Sequence, residues 1–112
     1  FVDYQLFYEL FLSRTGVKLY LNPQLKLSDV ARQVGTNRTY LSRFFNQEKQ
    51  MTFFDYVNNL RVEHAVSLLK NSDLRLNAIA EQSGFNSIST FRRFFAAKQQ
   101  CTPSEYRKRF LK

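Results

Sequence analysis

Two short stretches of the sequence combine arginine with small hydrogen-bonding side chains. On a helical projection of about 100° per residue, the first stretch gathers five such residues on or beside one face: Arg38, Thr39, Ser42, Arg43 and Asn46. The second gathers three: Ser89, Arg92 and Arg93. Arginine pairs with guanine edges, and serine, threonine and asparagine bond bases or phosphates. Exposed arginine usually marks a solvated face, but such faces mix both signs, and no carboxylate occurs in the first stretch before Glu48. We therefore expect two surfaces that suit the major groove of DNA.

An internal repeat of about 50 residues positions both stretches. The matching segments are 27–35 with 76–84, 41–45 with 91–95, 50–52 with 100–102, and Tyr56 with Tyr106. The second copy carries one extra residue between its glycine and its Phe-Phe pair. Two copies are too few for a solenoid, so the repeat indicates one structural unit used twice.

Each copy has the pattern of two short helices joined by a glycine turn. Apolar residues at helical spacing stop at Gly35 or Gly84, and a second apolar stripe follows. Asn37 or Arg38 begins the second helix of the first copy, and the corresponding helix of the second copy begins at about Ser87. A single copy would more often be a plain helical hairpin, but two in-phase copies on a basic chain predict two helix-turn-helix units.

The remaining segments predict a linking helix, a closing helix and an N-terminal helical segment. The apolar stripe of Thr52–Leu69 predicts a linking helix of about 27 Å, with Thr52 and Asp55 as a capping box. A length of that order suits two recognition helices spaced near the roughly 34 Å repeat of DNA. Thr102-Pro103-Ser104-Glu105 predicts a closing helix to about Phe110. The sequence predicts four parts: an N-terminal segment 1–24, a first helix-turn-helix 25–51, a linking helix 52–70, and a second helix-turn-helix with closing helix 71–112. Within the N-terminal segment it predicts a helix over Phe1–Leu12 and a helical turn over Val17–Leu21.

Composition excludes several classes of protein. The 112 residues are 44% hydrophobic with only three Gly and two Pro, which favours an all-α fold of short-turn helices. Seventeen Lys and Arg against nine Asp and Glu give a net charge of +8, which favours a polyanionic partner. One cysteine forms no internal disulfide and fits a reducing compartment. No apolar run approaches the roughly 20 residues of a membrane span, and the lack of an initiator Met predicts a part of a larger protein.

Neither an enzyme nor a metal site is expected. His64 and Cys101 are the only histidine and cysteine, too few for a customary zinc site. His64 is interpreted as a surface or packing residue and Cys101 as a buried thiol, because no nucleophile motif, paired carboxylates or phosphate loop accompanies them. The aromatic residues could stack on single-stranded bases, but their helical spacing favours the core. No cofactor is predicted.

In these motifs the chain resembles the DNA-binding region of AraC/XylS-type transcription regulators. The resemblance covers about Leu25–Arg107 and rests on six segments in order: Leu27-x-x-Val-Ala-x-x-Val-Gly, Tyr40-Leu41-Ser42-Arg43-x-Phe45, Arg61-Val62-x-x-Ala65-x-x-Leu68-Leu69, Ile79-Ala80-x-x-x-Gly84-Phe85, Phe91-x-Arg93-x-Phe95 and Thr102-Pro103-x-x-Tyr106-Arg107. It implies about seven helices, with two helix-turn-helix subdomains on one linking helix.

The resemblance also implies site residues and partners. The DNA contacts of the family correspond to nine positions: Asn37, Arg38, Thr39, Ser42 and Arg43 in the first recognition helix, and Ser87, Ser89, Arg92 and Arg93 in the second. It implies double-stranded DNA read in successive major grooves at an asymmetric site. It further implies an activator that has RNA polymerase as a partner, and a separate N-terminal domain for sensing or dimerisation. It implies no membrane contact and a location in the bacterial cytoplasm, at the nucleoid.

Two residues depart from the family pattern. Gln50 and Gln100 stand where the family usually has glycine at a helix C-cap with positive φ. A residue with a Cβ is strained there by roughly 1 kcal/mol. Either the glutamines accept this conformation or the helices end differently.

Three function classes remain open on the sequence alone. The favoured one is a sequence-specific binder of double-stranded DNA. The second is an architectural or non-specific nucleic-acid binder that uses charge alone. The third is a protein-interaction bundle or membrane-surface module with an incidental basic surface.

Overall fold

The computed structural model describes residues 19–110, without the side chain of Phe110. These residues contain no strand and form six α-helices: α1 Leu27–Gln33, α2 Arg38–Phe44, α3 Phe53–Asn71, α4 Leu76–Gln82, α5 Ile88–Gln99 and α6 Pro103–Phe110. A 3₁₀ turn spans Leu19–Leu21, and a π-helical turn spans Phe45–Lys49 directly after α2. The predicted all-α class is confirmed, with six helices in this part of the chain against about seven predicted. The predicted helix Phe1–Leu12 lies outside the described residues.

The chain divides into two compact units, with the boundary between Val57 and Asn58. The predicted linking helix is present as α3, and its first residues belong to one unit and the rest to the other. The Asp55 backbone N–H donates to the Thr52 hydroxyl at 3.1 Å. Within the described residues the reciprocal bond from Thr52 to the Asp55 carboxylate does not form. The predicted capping box is therefore only half correct, because the Asp55 side chain does not turn back to the cap.

The core of the first unit is built around Phe45. Its ring lies 5.5 Å from that of Phe44, 5.3 Å from Phe53 and 5.1 Å from Tyr56. The other buried hydrophobic residues of this unit are Tyr20, Val30, Ala31, Val34, Leu41 and Val57. Tyr20 comes from the 3₁₀ turn, and the others come from α1, α2, the residues directly after each of them and the start of α3. The two short helices of the first repeat are therefore held together by their apolar faces.

The core of the second unit repeats this arrangement around Phe91 and Phe95. Their rings lie 5.7 Å apart, with Phe85 against the first at 5.3 Å and Tyr106 against the second at 5.6 Å. The remaining buried members are Val62, Ala65, Leu69, Ile79, Ala80 and Cys101. Helices α3, α4, α5 and α6 therefore share one core, which fixes the orientation of α5.

The two glycine turns set the angle between the paired helices of each unit. Gly35 and Gly84 adopt φ of 79° and 93°, which a side chain would strain. The next backbone N–H reaches back to the helix, from Thr36 to the Ala31 carbonyl at 2.8 Å and from Phe85 to the Ala80 carbonyl at 3.0 Å. These bonds close the helix ends in the same way, so the repeat seen in the sequence is also a repeat of backbone geometry.

The closing helix α6 is capped and tied to the loop before α4. Thr102 and Glu105 form a complete capping box: the Thr102 N–H donates to the Glu105 carboxylate at 2.8 Å, and the Glu105 N–H donates to the Thr102 hydroxyl at 3.1 Å. Arg107 donates to the backbone carbonyls of Ser72 and Leu74. The C-terminal helix thus stabilises the segment that leads into the second repeat.

Candidate nucleic-acid interface

The first surface begins at the N-terminus of α2, where Asn37 is the N-cap. Its side-chain oxygen accepts the backbone N–H of Tyr40 at 2.8 Å, which satisfies one of the free donors of the first turn. The side-chain amide of Asn37 is exposed and has no partner among the described residues. Asn37 therefore has a structural role, and its amide N–H groups remain free to donate to an external partner.

Four predicted residues of α2 and Asn46 of the π-helical turn line one open depression, and Asn37 lies outside its lining. The volume of the depression is about 560 Å³, and its lining residues are Leu27, Arg38, Thr39, Ser42, Arg43, Asn46 and Gln47. Ser42 is half-buried, and the other predicted residues of this helix are exposed. Leu27 and Gln47 were missed by the sequence analysis. Gln47 follows Arg43 by four residues, a spacing that places side chains on one helix face, so the sequence held the signal.

The arginines of this surface are free of internal pairing. In the stretch 19–110, Arg38 and Arg43 have no hydrogen bond, ion pair or ring contact with another residue. By contrast, Arg32 of α1 donates to Asp29 at 2.8 Å. This hydrogen bond lowers the pKa of the Asp29 carboxyl below its ordinary value. The two charges of α2 remain available for an external anion.

The second surface begins at the N-terminus of α5, where Ser87 is the N-cap. Its hydroxyl oxygen accepts the Thr90 N–H at 3.1 Å and lies 3.0 Å from the Thr90 hydroxyl, to which it donates. Ser87 is exposed, as are Ser89, Arg92 and Arg93. Because both its oxygen and its proton are engaged, Ser87 has less capacity for an external partner than Asn37.

The two arginines of α5 differ in their surroundings. The Arg93 guanidinium lies 5.2 Å from the centre of the Phe94 ring, within the range of a cation–π interaction. Arg92 has no partner among residues 19–110. Phe94 is half-buried and packs against the core of the second unit. The core is already filled by Phe91 and Phe95, and the exposed part of the Phe94 ring is next to Arg93.

Both recognition helices end at a glutamine in the left-handed conformation. Gln50 has φ of 57° and Gln100 has φ of 62°. The Gln50 N–H bonds to the Phe45 carbonyl, and the Gln100 N–H bonds to the Ala96 carbonyl at 2.9 Å. The Gln100 side chain also donates to the Ala97 carbonyl at 3.2 Å. Of the two alternatives left by the sequence, the glutamines accept the positive φ.

Other residues singled out in the sequence lie away from these surfaces. The His64 ring nitrogen lies 3.4 Å from the hydroxyl of fully buried Ser83, so His64 is a packing residue as predicted. Cys101 is a buried free thiol. Of the aromatic side chains that the structure describes, most are buried, and Tyr40 and Phe54 are exposed. No group of three metal-binding side chains occurs in the described part of the chain. None of its helices has the length and apolar character that a bilayer crossing requires.

One positive charge counted in the sequence is not a surface charge. Arg61 of α3 is only 7% exposed, and its guanidinium donates to the buried Asn58 at 3.0 Å. Burial lowers the pKa of Arg61, although an arginine remains protonated at neutral pH. The sequence resemblance included Arg61 without a role, and the structure gives it a role in packing.

Comparison with known proteins supports the same architecture. Residues 30–109 match the family model described as a helix-turn-helix domain. The uncharacterized HTH-type transcriptional regulator YfiF from Bacillus subtilis (strain 168) is 37% identical over 97 residues, which cover 83% of this chain and 31% of YfiF. The chain thus spans about a third of the length of this curated relative.

Two solved structures have a similar fold. One is the C-terminal domain of the two-component response regulator yesN from Fusobacterium nucleatum, with a TM-score of 0.71, 34% identity, and coverage of 79% of this chain and 85% of that chain. The other is an AraC-type transcriptional regulator from Chromobacterium violaceum, with a TM-score of 0.72, 28% identity and coverage of 79% of each chain. The chain therefore belongs to the helix-turn-helix family of AraC-type DNA-binding domains.

Proposed function

We propose that the chain is the sequence-specific DNA-binding domain of a transcription regulator and that α2 and α5 each enter a major groove. The observation that carries this proposal is the exposure of Arg43 and Arg93 on helices whose opposite faces are fixed in a core. Such a helix presents arginine and small hydrogen-bonding groups in a rigid array, which direct readout of base edges requires.

The ten predicted residues divide into base and backbone contacts. Arg43 and Arg93 lie in the middle of their helices and are proposed to pair with guanine edges. The residues around them are proposed to bond adjacent bases: Thr39, Ser42, Asn46 and Ser89. Those at the helix N-termini and flanks are proposed to bond phosphates: Asn37, Arg38, Ser87 and Arg92. Phosphate contacts would set the register of each helix, and base contacts would set the sequence preference.

The partners and setting of the whole protein are also proposals. The two units carry different outer residues, so one chain would read an asymmetric site in two successive major grooves. An activator of this kind would contact RNA polymerase, and an N-terminal domain would sense a signal or dimerise. The bacterial cytoplasm, at the nucleoid, is the proposed location. Binding without catalysis is the proposed activity, since the two surfaces hold no nucleophile paired with a base.

The second candidate is an architectural binder that uses charge alone, which the net charge of +8 favours. The two functions differ in how binding depends on salt and sequence. Charge-only binding weakens steeply with salt for every sequence, whereas base readout preserves a large ratio between a good site and random DNA.

A competition assay separates them. The chain would be bound to a labelled site and challenged with unlabelled copies of that site or with random duplex, at low and at moderate salt. We expect the specific competitor to remain at least about 1,000-fold more effective than random duplex at both salt concentrations. Equal competition by both duplexes would support the architectural function and contradict sequence-specific readout.

A further inference from the structure

The C-terminal ends of the two recognition helices have different chemistry. After Phe45 the first helix continues with Asn46 and Gln47, and after the matching Phe95 the second continues with Ala96 and Ala97. All four residues are exposed. The first helix therefore carries two exposed amides where the second carries two exposed methyl groups, although the buried faces are alike.

The backbone at these positions also differs. Gln47 lies in the middle of the π-helical turn Phe45–Lys49, whereas Ala97 lies in the regular α-helix α5. Single π-helical turns within helices occur frequently at functional sites. The wider turn changes the direction of the side chains that follow Arg43, so Gln47 is not equivalent in position to Ala97.

The Gln47 side chain faces the proposed DNA surface. It lines the same depression as Arg43 and Asn46. No hydrogen bond from its amide to another residue is present in the part of the chain that the structure describes. A glutamine amide can donate to and accept from the edge of an adenine at the same time, a pairing that the other bases do not offer in the major groove.

The geometry points to Gln47 as a further specificity-determining residue, one that reads an adenine next to the base contacted by Arg43. Ala97 offers only a methyl contact, so the second half of the site lacks this preference. This inference rests on the proposed function, because it assigns one more base contact to the same surface.

The test uses Gln47→Ala, which gives the first helix the side chain found at the matching position of the second. Affinity would be measured for the preferred site and for a panel in which each base pair is changed singly. We expect the affinity for the preferred site to fall about 5- to 150-fold. At the position next to the Arg43 contact, the variant should then bind sites with any of the four base pairs equally well.

Gln33→Ala is the matched control, since Gln33 is an exposed glutamine of α1 outside the depression. It should leave the panel unchanged, and thermal unfolding should show that both variants remain folded. An equal loss of affinity for every sequence would make Gln47 a phosphate contact and overturn the inference. Affinities of Gln47→Ala that equal those of the wild type across the panel would also overturn it. In either case wild-type preference would remain, whereas failure of the proposed function would appear as no preference in the wild-type chain.

Discussion

The two helix-turn-helix units differ least where they are buried and most where they are exposed. Matching core positions hold residues of similar character in the two copies: Val30 and Ile79, Ala31 and Ala80, Leu41 and Phe91, Phe45 and Phe95. Three matching outer pairs do not: Ser42 and Arg92, Asn46 and Ala96, Gln47 and Ala97. The outer arginines Arg43 and Arg93 are identical, and Thr39 and Ser89 both carry a hydroxyl. Packing restricts a core position to a few side chains, whereas an outer position is free to change. The same scaffold can therefore present two different recognition surfaces.

The turns before the recognition helices also differ. After its glycine the first unit reaches its N-cap through Thr36, and the second reaches it through Phe85 and one additional residue, Asn86. Phe85 is buried against Phe91, whereas Thr36 is half-buried. The added residue lets the second turn contribute an aromatic ring to the core and still begin its helix at a capping side chain.

Loss of the central arginines should have the largest effect on recognition. Arg43→Ala and Arg93→Ala are each expected to weaken binding to the preferred site by about 1–3 kcal/mol and to relax preference at one base pair. Arg93 contacts the Phe94 ring in the free chain, and we expect pairing with a base to replace this contact, which is worth about 0.5–1 kcal/mol at an exposed site. Arg93→Ala should therefore cost less than Arg43→Ala. A panel of singly altered sites measures both effects.

The control for this comparison is Arg32→Ala, which removes an exposed charge already paired with Asp29. It should reduce affinity slightly and equally for all sequences. If Arg43→Ala or Arg93→Ala behaved in the same uniform way, that arginine would be a phosphate contact.

The N-caps should have the next largest effect, on stability. Asn37→Ala and Ser87→Ala each remove the acceptor for a backbone N–H of the first turn, and each is expected to cost about 0.5–2 kcal/mol in free energy of unfolding. Chemical denaturation measures the change. Ser89→Ala, two residues further along α5, is the control and should not lower stability, because alanine is the better helix former. No loss at either cap would refute the structural role.

The left-handed glutamines should respond in the opposite direction. Gln50→Gly and Gln100→Gly are each expected to raise stability by roughly 0.5–1 kcal/mol, because relief of the positive-φ strain exceeds the entropy cost of glycine. The gain should be smaller at Gln100, whose side chain also bonds the Ala97 carbonyl. Thermal unfolding of both variants measures this. Gln99→Gly changes a residue of the regular helix and should lower the melting temperature. A lower melting temperature for Gln50→Gly as well would contradict the proposal that the positive φ strains Gln50.

The smallest effect concerns the Thr102–Glu105 capping box, which forms both bonds, whereas its counterpart Thr52–Asp55 forms one. Hydrogen bonds from Thr102 lower the pKa of Glu105 below its ordinary value of 4.5, since they favour the charged form. The resulting stabilisation is fully present above pH 4.5 and is lost as the pH falls through the lowered value. In Glu105→Gln, the free energy of unfolding should therefore fall less steeply with decreasing pH in the acidic range than in the wild type. Identical acid curves for both proteins would contradict this role.

Sequence patterns predicted the parts of the fold that depend on local chemistry. The glycine turns, the Thr102–Glu105 box and the exposed arginines follow from spacing and residue type, and the structure contains them. Features that depend on tertiary packing were not predictable in this way. The π-helical turn after α2, the half-exposed Phe94 and the burial of Arg61 depend on how much space neighbouring helices leave. Gln47 is a different case, because it follows Arg43 by four residues and this spacing alone indicates a shared helix face.

Selection from a pool of randomised double-stranded oligonucleotides would show whether the two surfaces read DNA as a pair. With the wild-type chain we expect an enriched, non-palindromic motif of two short blocks with centres about 10 base pairs apart, one for α2 and one for α5. A pool that shows no enriched sequence, or a symmetric minimal site bound by one chain, would contradict the assignment of two different recognition helices.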